Sequence, residues 1–102
     1  MGGNEALMSK IDHIAIKSLD IARDSAWYAQ EFGLKIAYQD STWALLESAT
    51  CSLALVTPGQ HPAHFAFLAE GDAPPEAKSH RDGTRSKYIK DPSGNVVELL
   101  WR

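Results

Sequence analysis

The chain has 102 residues, 44% hydrophobic and 23% charged, with a formal net charge of -3, which is material for one domain of the usual size of about 100–150 residues. No basic stripe stands out for a nucleic-acid partner, and no apolar run approaches the roughly 20 residues that cross a bilayer, so neither nucleic acid nor membrane is expected as a partner. The single cysteine, Cys51, permits neither an intrachain disulfide nor a cysteine-based zinc site and fits a reducing, cytoplasmic setting.

Residues 1–10 lack the basic-then-apolar order of a secretory signal and read as a flexible N-terminal extension ahead of a single domain over 11–102. Ile11 to Lys17 alternates, with Ile14 and Ile16 on one face and His13 and Ala15 on the other, as in a half-buried strand. Asp20 has the chemistry of an N-cap, and Ile21 to Phe32 reads as an amphipathic helix. Its expected buried stripe is Ala22, Ala26, Ala29 and Phe32, with Trp27 and Tyr28 beside it and Gly33 as a left-handed C-cap. Three short strands follow, over Leu34–Gln39, Thr42–Glu47 and Cys51–Thr57, before a turn at Pro58-Gly59.

Ala63 to Leu68 restarts the pattern of the first strand, with Phe65 and Phe67 on one face and His64 and Ala66 on the other. Between Gly71 and Gly83, Asp72 could cap a short helix over Pro75 to Ser79. Arg85–Lys90 and Val96–Trp101 are strands joined by Asp91-Pro92-Ser93-Gly94, a type I turn signal with proline at the second position and glycine at the fourth. The chain is thus a weak internal repeat with a period of about fifty residues. The expected fold is α+β: two βαβββ-type modules, about 11–58 and 61–102, form a cupped mixed sheet, and the second module is shortened with a reduced helix.

Alternation places three ligand-type side chains opposite the bulky residues of their own strands. His13 opposes Ile14 and Ile16, His64 opposes Phe65 and Phe67, and Glu98 opposes Val97 and Leu99. If the bulky faces pack outward, these three line the inner face. Two imidazoles and a carboxylate on rigid strands form a facial triad for a divalent metal, leaving about three positions open to substrate or water. Each residue also has a structural reading. A strand histidine is commonly a packing residue, and Glu98 could pair with Arg85 or Lys87 on the preceding strand.

The same residues carry a family resemblance. Ile11-Asp12-His13-Ile14-Ala15-Ile16 resembles the opening strand of the vicinal-oxygen-chelate superfamily, the glyoxalase, bleomycin-resistance and extradiol-dioxygenase proteins. The segment Trp27-Tyr28 to Phe32-Gly33-Leu34 and the second opening His64-Phe65-Ala66-Phe67 are similar to theirs. Most specific is Tyr88 to Leu99, which resembles the ending Y-x-x-D-P-x-G-N-x-x-E-L. The resemblance covers 11–102. It implies that His13, His64 and Glu98 are metal ligands for one Fe, Mn, Zn or Ni ion, and that Tyr88 is an active-site hydroxyl. Ala54 stands where glyoxalase-type members carry a fourth ligand, so three ligands are left, as in extradiol dioxygenases and fosfomycin-modifying thiol transferases.

The implied activity is that of a metal-dependent enzyme for a small substrate with two adjacent oxygens, of dioxygenase, lyase or thiol-transferase type. The alternative is a metal-free small-molecule or drug-binding protein of bleomycin-resistance type, and a third reading keeps the fold for assembly alone. Among the other candidates, Tyr88 is open between hairpin packing and a substrate hydrogen bond, and Trp43 between the cup and the helix. Glu47 could be a base or an exposed residue, Cys51 reads as a small core residue, and His61 and His80 read as exposed loop histidines. The second module's outer face, Phe65, Phe67, Val97, Leu99 and Trp101, has little to cover it, and a homodimer that buries it is expected.

Overall fold

The computed structural model describes residues 9–102, so most of the expected extension over 1–10 lies outside the described residues. The elements in chain order are β1 (Ile11–Lys17), α1 (Ile21–Phe32), β2 (Lys35–Gln39), β3 (Trp43–Glu47), β4 (Ser52–Val56), β5 (His64–Leu68), β6 (Lys78–Ser79), β7 (Arg85–Lys90) and β8 (Val96–Trp101). They form one helix and one eight-stranded mixed sheet, in the order β2-β3-β4-β1-β5-β8-β7-β6. Each half runs first strand, fourth, third, second outward from the centre, so the two modules of the sequence repeat have the same topology. They meet where β1 and β5 pair antiparallel, while β1 runs parallel to β4 and β5 parallel to β8. The α+β expectation holds.

Asp20 caps α1 through its side-chain oxygen, which accepts from the Arg23 amide at 3.0 Å, and Gly33 ends it at φ 69. The buried stripe is Ile21 and Ser25, with Tyr28 partly buried; Ala22, Ala26 and Phe32 face solvent. The alanines were poor markers because methyl-sized side chains are tolerated on either face of a helix. Ile21 packs with Ala44, Leu46 and Leu55, with Ile16, Tyr28, Leu34 and Leu53 around them. The helix therefore lies over β2, β3 and β4, and Ile14 stays outside this cluster at the seam between the halves.

The second half is shorter in structure than the sequence suggests. Pro75 to Ser79 is a turn running into the two-residue strand β6, with no helix. Consecutive prolines at 74 and 75 remove two backbone donors. The carbonyls that a helix would use are taken by Arg85, whose Nη2 donates to Pro74, Pro75 and Ala77 oxygens at 3.1, 3.3 and 2.8 Å. Phe65 on the outer face is consequently 46% exposed and Ile89 41%. On the inner face, Ala15, Ala54 and Val56 form a second apolar cluster with Trp43 and Leu45 packed against it. This cluster floors the concave side.

Candidate metal centre

The side chains of His13, His64 and Glu98 come from β1, β5 and β8, three adjacent strands at the centre of the sheet. One potential donor atom from each lies within 4.8 Å of the other two. Glu98 Oε1 sits 3.3 Å from His13 Nε2 and 3.1 Å from His64 Nε2, and the two imidazole rings meet edge to face. His64 and Glu98 are each 7% exposed. The alternative partners of Glu98 are engaged elsewhere: Lys87 pairs with Glu76, and Arg85 holds the 74–77 turn. Across the ladder Glu98 faces Tyr88, whose neighbours Lys87 and Ile89 belong to the opposite side of the pleat.

Hydrogen-bond chemistry shows what this arrangement asks for. His64 Nδ1 is 2.7 Å from the Pro62 carbonyl, which can only accept, so Nδ1 carries a proton and, in the neutral ring, Nε2 a lone pair. His13 Nδ1 is 2.8 Å from the Asp12 carboxylate, which fixes the same tautomer. Both Nε2 lone pairs then point at a carboxylate oxygen that also only accepts. Among the described residues the buried His64 Nε2 faces only the Glu98 carboxylate, with no donor to satisfy its lone pair. Three electron-pair donors facing one another need positive charge between them, supplied by protons or by a cation. Donors bound at about 2.1 Å in neighbouring positions of one ion stand about 3 Å apart, close to the spacings seen here. The cluster could hold a divalent metal ion.

Without a metal, protons do this work. Burial by itself would lower the His13 pKa, but Glu98 and Asp12 outweigh it and raise it above the ordinary 6.5. Burial likewise opposes ionisation of Glu98, yet His13 and His64 hold its carboxyl far below the usual 4.5, with the Ser86 hydroxyl adding to the effect. Tyr88 is pushed up to about 12 by burial and by the Glu98 charge, so its hydroxyl stays protonated and able to donate.

The triad opens into a cleft of about 310 Å³. Its apolar wall is Ala15, Leu45, Ala54, Val56 and Leu100, and Trp43 lines it too, its ring tilted against that of Tyr38 with centroids 4.8 Å apart. Trp43 thus belongs to the cup. Tyr88 lines the same cleft, its ring 5.2 Å from that of His64. Glu47 is exposed and away from this cleft, near Lys35. Cys51, half-exposed, also lies outside it.

Two corrections concern the loop histidines. His61 and His80 are exposed as expected, yet both line the cleft, and His80 Nε2 lies 2.7 Å from the buried Ser86 hydroxyl. Asp12, Ser86 and Arg102 were missed as well. Ser86 was within reach of sequence reasoning, since it shares the parity of Tyr88 on one strand. Asp12 was not. β1 carries an extra residue against β5, because Ile11 pairs with Phe67 and His13 with Ala66. That bulge re-aims Asp12 to the side that His13 occupies, where strict alternation would send it the other way.

Comparison with solved structures gives the same fold. Similar over 93% of this chain and 100% of the other, at 11% identity and TM-score 0.69, is a glyoxalase/bleomycin resistance protein/dioxygenase superfamily member from Vibrio splendidus 12B01. Methylmalonyl-CoA epimerase from Mycobacterium tuberculosis matches over 90% of this chain and 87% of its own at 16% identity and TM-score 0.72. Lactoylglutathione lyase from Agrobacterium tumefaciens matches over 92% and 94% at 22% identity and TM-score 0.50. No family model matches the sequence, and no curated protein does. The chain has the vicinal-oxygen-chelate fold, on structural likeness to proteins of low sequence identity.

Proposed function

We propose that this chain is a metal-dependent enzyme that takes a small molecule with two adjacent oxygens into the cleft, with His13, His64 and Glu98 as the ligands of one divalent ion. The observation that supports it most is Glu98 Oε1 facing the lone pairs of two imidazoles whose other nitrogens are already committed. A bound ion would act as a Lewis acid that polarises the substrate's oxygens and stabilises negative charge developing on them. Iron, manganese, zinc and nickel all accept this donor set, and dioxygenase, lyase and thiol-transferase types are the reaction classes in view.

The protein's own groups divide the remaining work. Tyr88, protonated and beside His64, donates a hydrogen bond to a substrate oxygen and is the proposed catalytic hydroxyl. Trp43 and the apolar wall exclude water and press a flat or apolar substrate body against β1 and β4. Ala54, 5% exposed, offers no carboxylate, so β4 itself supplies no proton acceptor at this point of the cleft. His80, held by Ser86, is the imidazole placed to move one on the β7 side.

The unit we propose is the single domain 11–102 in the cytoplasm, paired as a homodimer through the uncovered outer face around Phe65. Among the described residues no helix is long and apolar enough to cross a membrane. Elemental analysis of protein purified without chelator tests the main reading. About one divalent ion per chain is expected, lost in His64→Ala with the fold retained by circular dichroism. Metal-free protein that binds small aromatic or cationic ligands would instead support the drug-binding reading.

A further inference from the structure

The bulge in β1 has a second effect, beyond the ligand set itself. Asp12 lies between two partners, one on each carboxylate oxygen: Oδ2 accepts from His13 Nδ1 at 2.8 Å and Oδ1 from Arg102 Nη2 at 2.6 Å. Arg102 follows β8, the strand that carries Glu98, whereas Asp12 is on β1, and β5 lies between them. The guanidinium therefore reaches across the concave side of the sheet over the strand that carries His64. All three groups line the cleft.

We infer that Asp12 and Arg102 are positioning residues for the proposed metal site: the Asp12 carboxylate, clamped by Arg102, fixes the His13 ring with Nε2 towards Glu98 and His64. The inference rests on the metal-centre reading.

A plain surface ion pair would not require this geometry. Exposed Arg–Asp pairs contribute little to stability, about 0–1 kcal/mol, and Arg102 is 59% exposed in its side chain. Asp12 is different, at 18%, and both its oxygens are taken. His64 gets its tautomer from the Pro62 carbonyl, a backbone group that no substitution removes. Among the described residues the Nδ1 partner of His13 is the Asp12 side chain, which draws the ring proton to Nδ1 against the pull of Glu98 Oε1 on Nε2. In the Nε2-protonated tautomer the nitrogen facing Glu98 could not bind a metal. Arg102, on Oδ1 at 2.6 Å, stops the Asp12 carboxylate from rotating towards solvent.

The test uses the full chain, with zinc as the probe, and two readouts. Zinc affinity is measured by competition with a chromophoric chelator for wild type, His64→Ala, Asp12→Ala, Arg102→Met and Arg102→Lys. The ring-nitrogen shifts of His13 and His64 are read by ¹⁵N NMR on zinc-free protein. Asp12→Ala should weaken zinc by about 10–100-fold and shift His13, and His13 alone, towards the Nε2-protonated tautomer. Arg102→Met should give a smaller loss of the same kind, and Arg102→Lys should recover most of it, because only one N–H···O contact is made. A structural role alone would lower the melting temperature and leave the tautomer and the affinity where they were.

Wild-type affinity in Asp12→Ala and Arg102→Met, beside a defective His64→Ala, overturns this inference and spares the metal centre. Zinc binding that is absent from wild type, or equal in wild type and His64→Ala, overturns the metal centre and this role with it. Should Asp12→Ala fail to fold, the Arg102 pair decides by the same readouts.

Discussion

Replacing Glu98 by glutamine separates the metal-free state from the metal-bound one, because it should move their stabilities in opposite directions. In chelator, at a pH high enough for His13 to have lost its extra proton despite its raised pKa, the neutral rings turn Nε2 lone pairs towards Glu98 Oε1 at 3.3 and 3.1 Å. A carboxylate offers them no hydrogen. A glutamine amide offers two, and its carbonyl can still accept from the buried Ser86 hydroxyl. One or two new hydrogen bonds at about 0.5–1.5 kcal/mol each should stabilise the metal-free Glu98→Gln protein by roughly 1–2 kcal/mol. At about 4–8 °C per kcal/mol for a domain of this size, its melting temperature should rise by at least several degrees.

Saturating metal should reverse the order. At about a thousand times Kd a ligand stabilises the native state by roughly 4 kcal/mol, and the glutamine, without the charge, should forfeit most of that. The assay is calorimetry or dye-monitored melting of both proteins, with chelator and with zinc. Two results would refute the reasoning: Glu98→Gln melting below wild type in chelator at alkaline pH, or Glu98→Gln keeping the full zinc-induced shift.

The pH dependence has its own sign. In chelator, His13 has a raised pKa, so its contribution is complete below about 6.5 and is lost as pH climbs through the folded value. Glu98 has a depressed pKa, so its contribution is present above about 4.5 and is lost only as pH falls through its folded value. Chelated protein should therefore lose melting temperature as pH climbs from about 6.5 through the raised His13 value, while the zinc-induced gain should grow over the same limb as protons stop competing; a chelated protein that grows more stable on that limb contradicts the assignment. In the helix-covered half, Leu46 is 0% exposed beside Ile21 and Leu55. Leu46→Ala should cost about 3–5 kcal/mol in urea titration, and a loss under about 1 kcal/mol would mean that this cluster is not the core. For the proposed homodimer, light scattering should give twice the chain mass, and Phe65→Asp should lower it; a monodisperse wild-type monomer disposes of the dimer.

Local pattern carried much of this structure. The alternation around His13, His64 and Glu98, the Asp20 and Gly33 caps and the Asp91–Gly94 turn all appear where short-range chemistry demands them. What was illegible depended on distant partners or on broken alternation. Nothing local reveals that Arg85 will collect the carbonyls of Pro74, Pro75 and Ala77 in place of a helix. Parity sends Asp12 away from His13, and only pairing with β5 shows the extra residue that brings it back. His80 reads as a loop residue until the β6–β7 hairpin folds it over Ser86.

The half without a helix supplies two of the three clustered donors, His64 and Glu98, and the helix-bearing half supplies only His13. An ion seated there would rivet the two halves together across the β1–β5 seam. Each half taken alone would be left with an incomplete grip. The second half can therefore do without a helical outer layer, but such a grip could not do without the strands that carry His64 and Glu98.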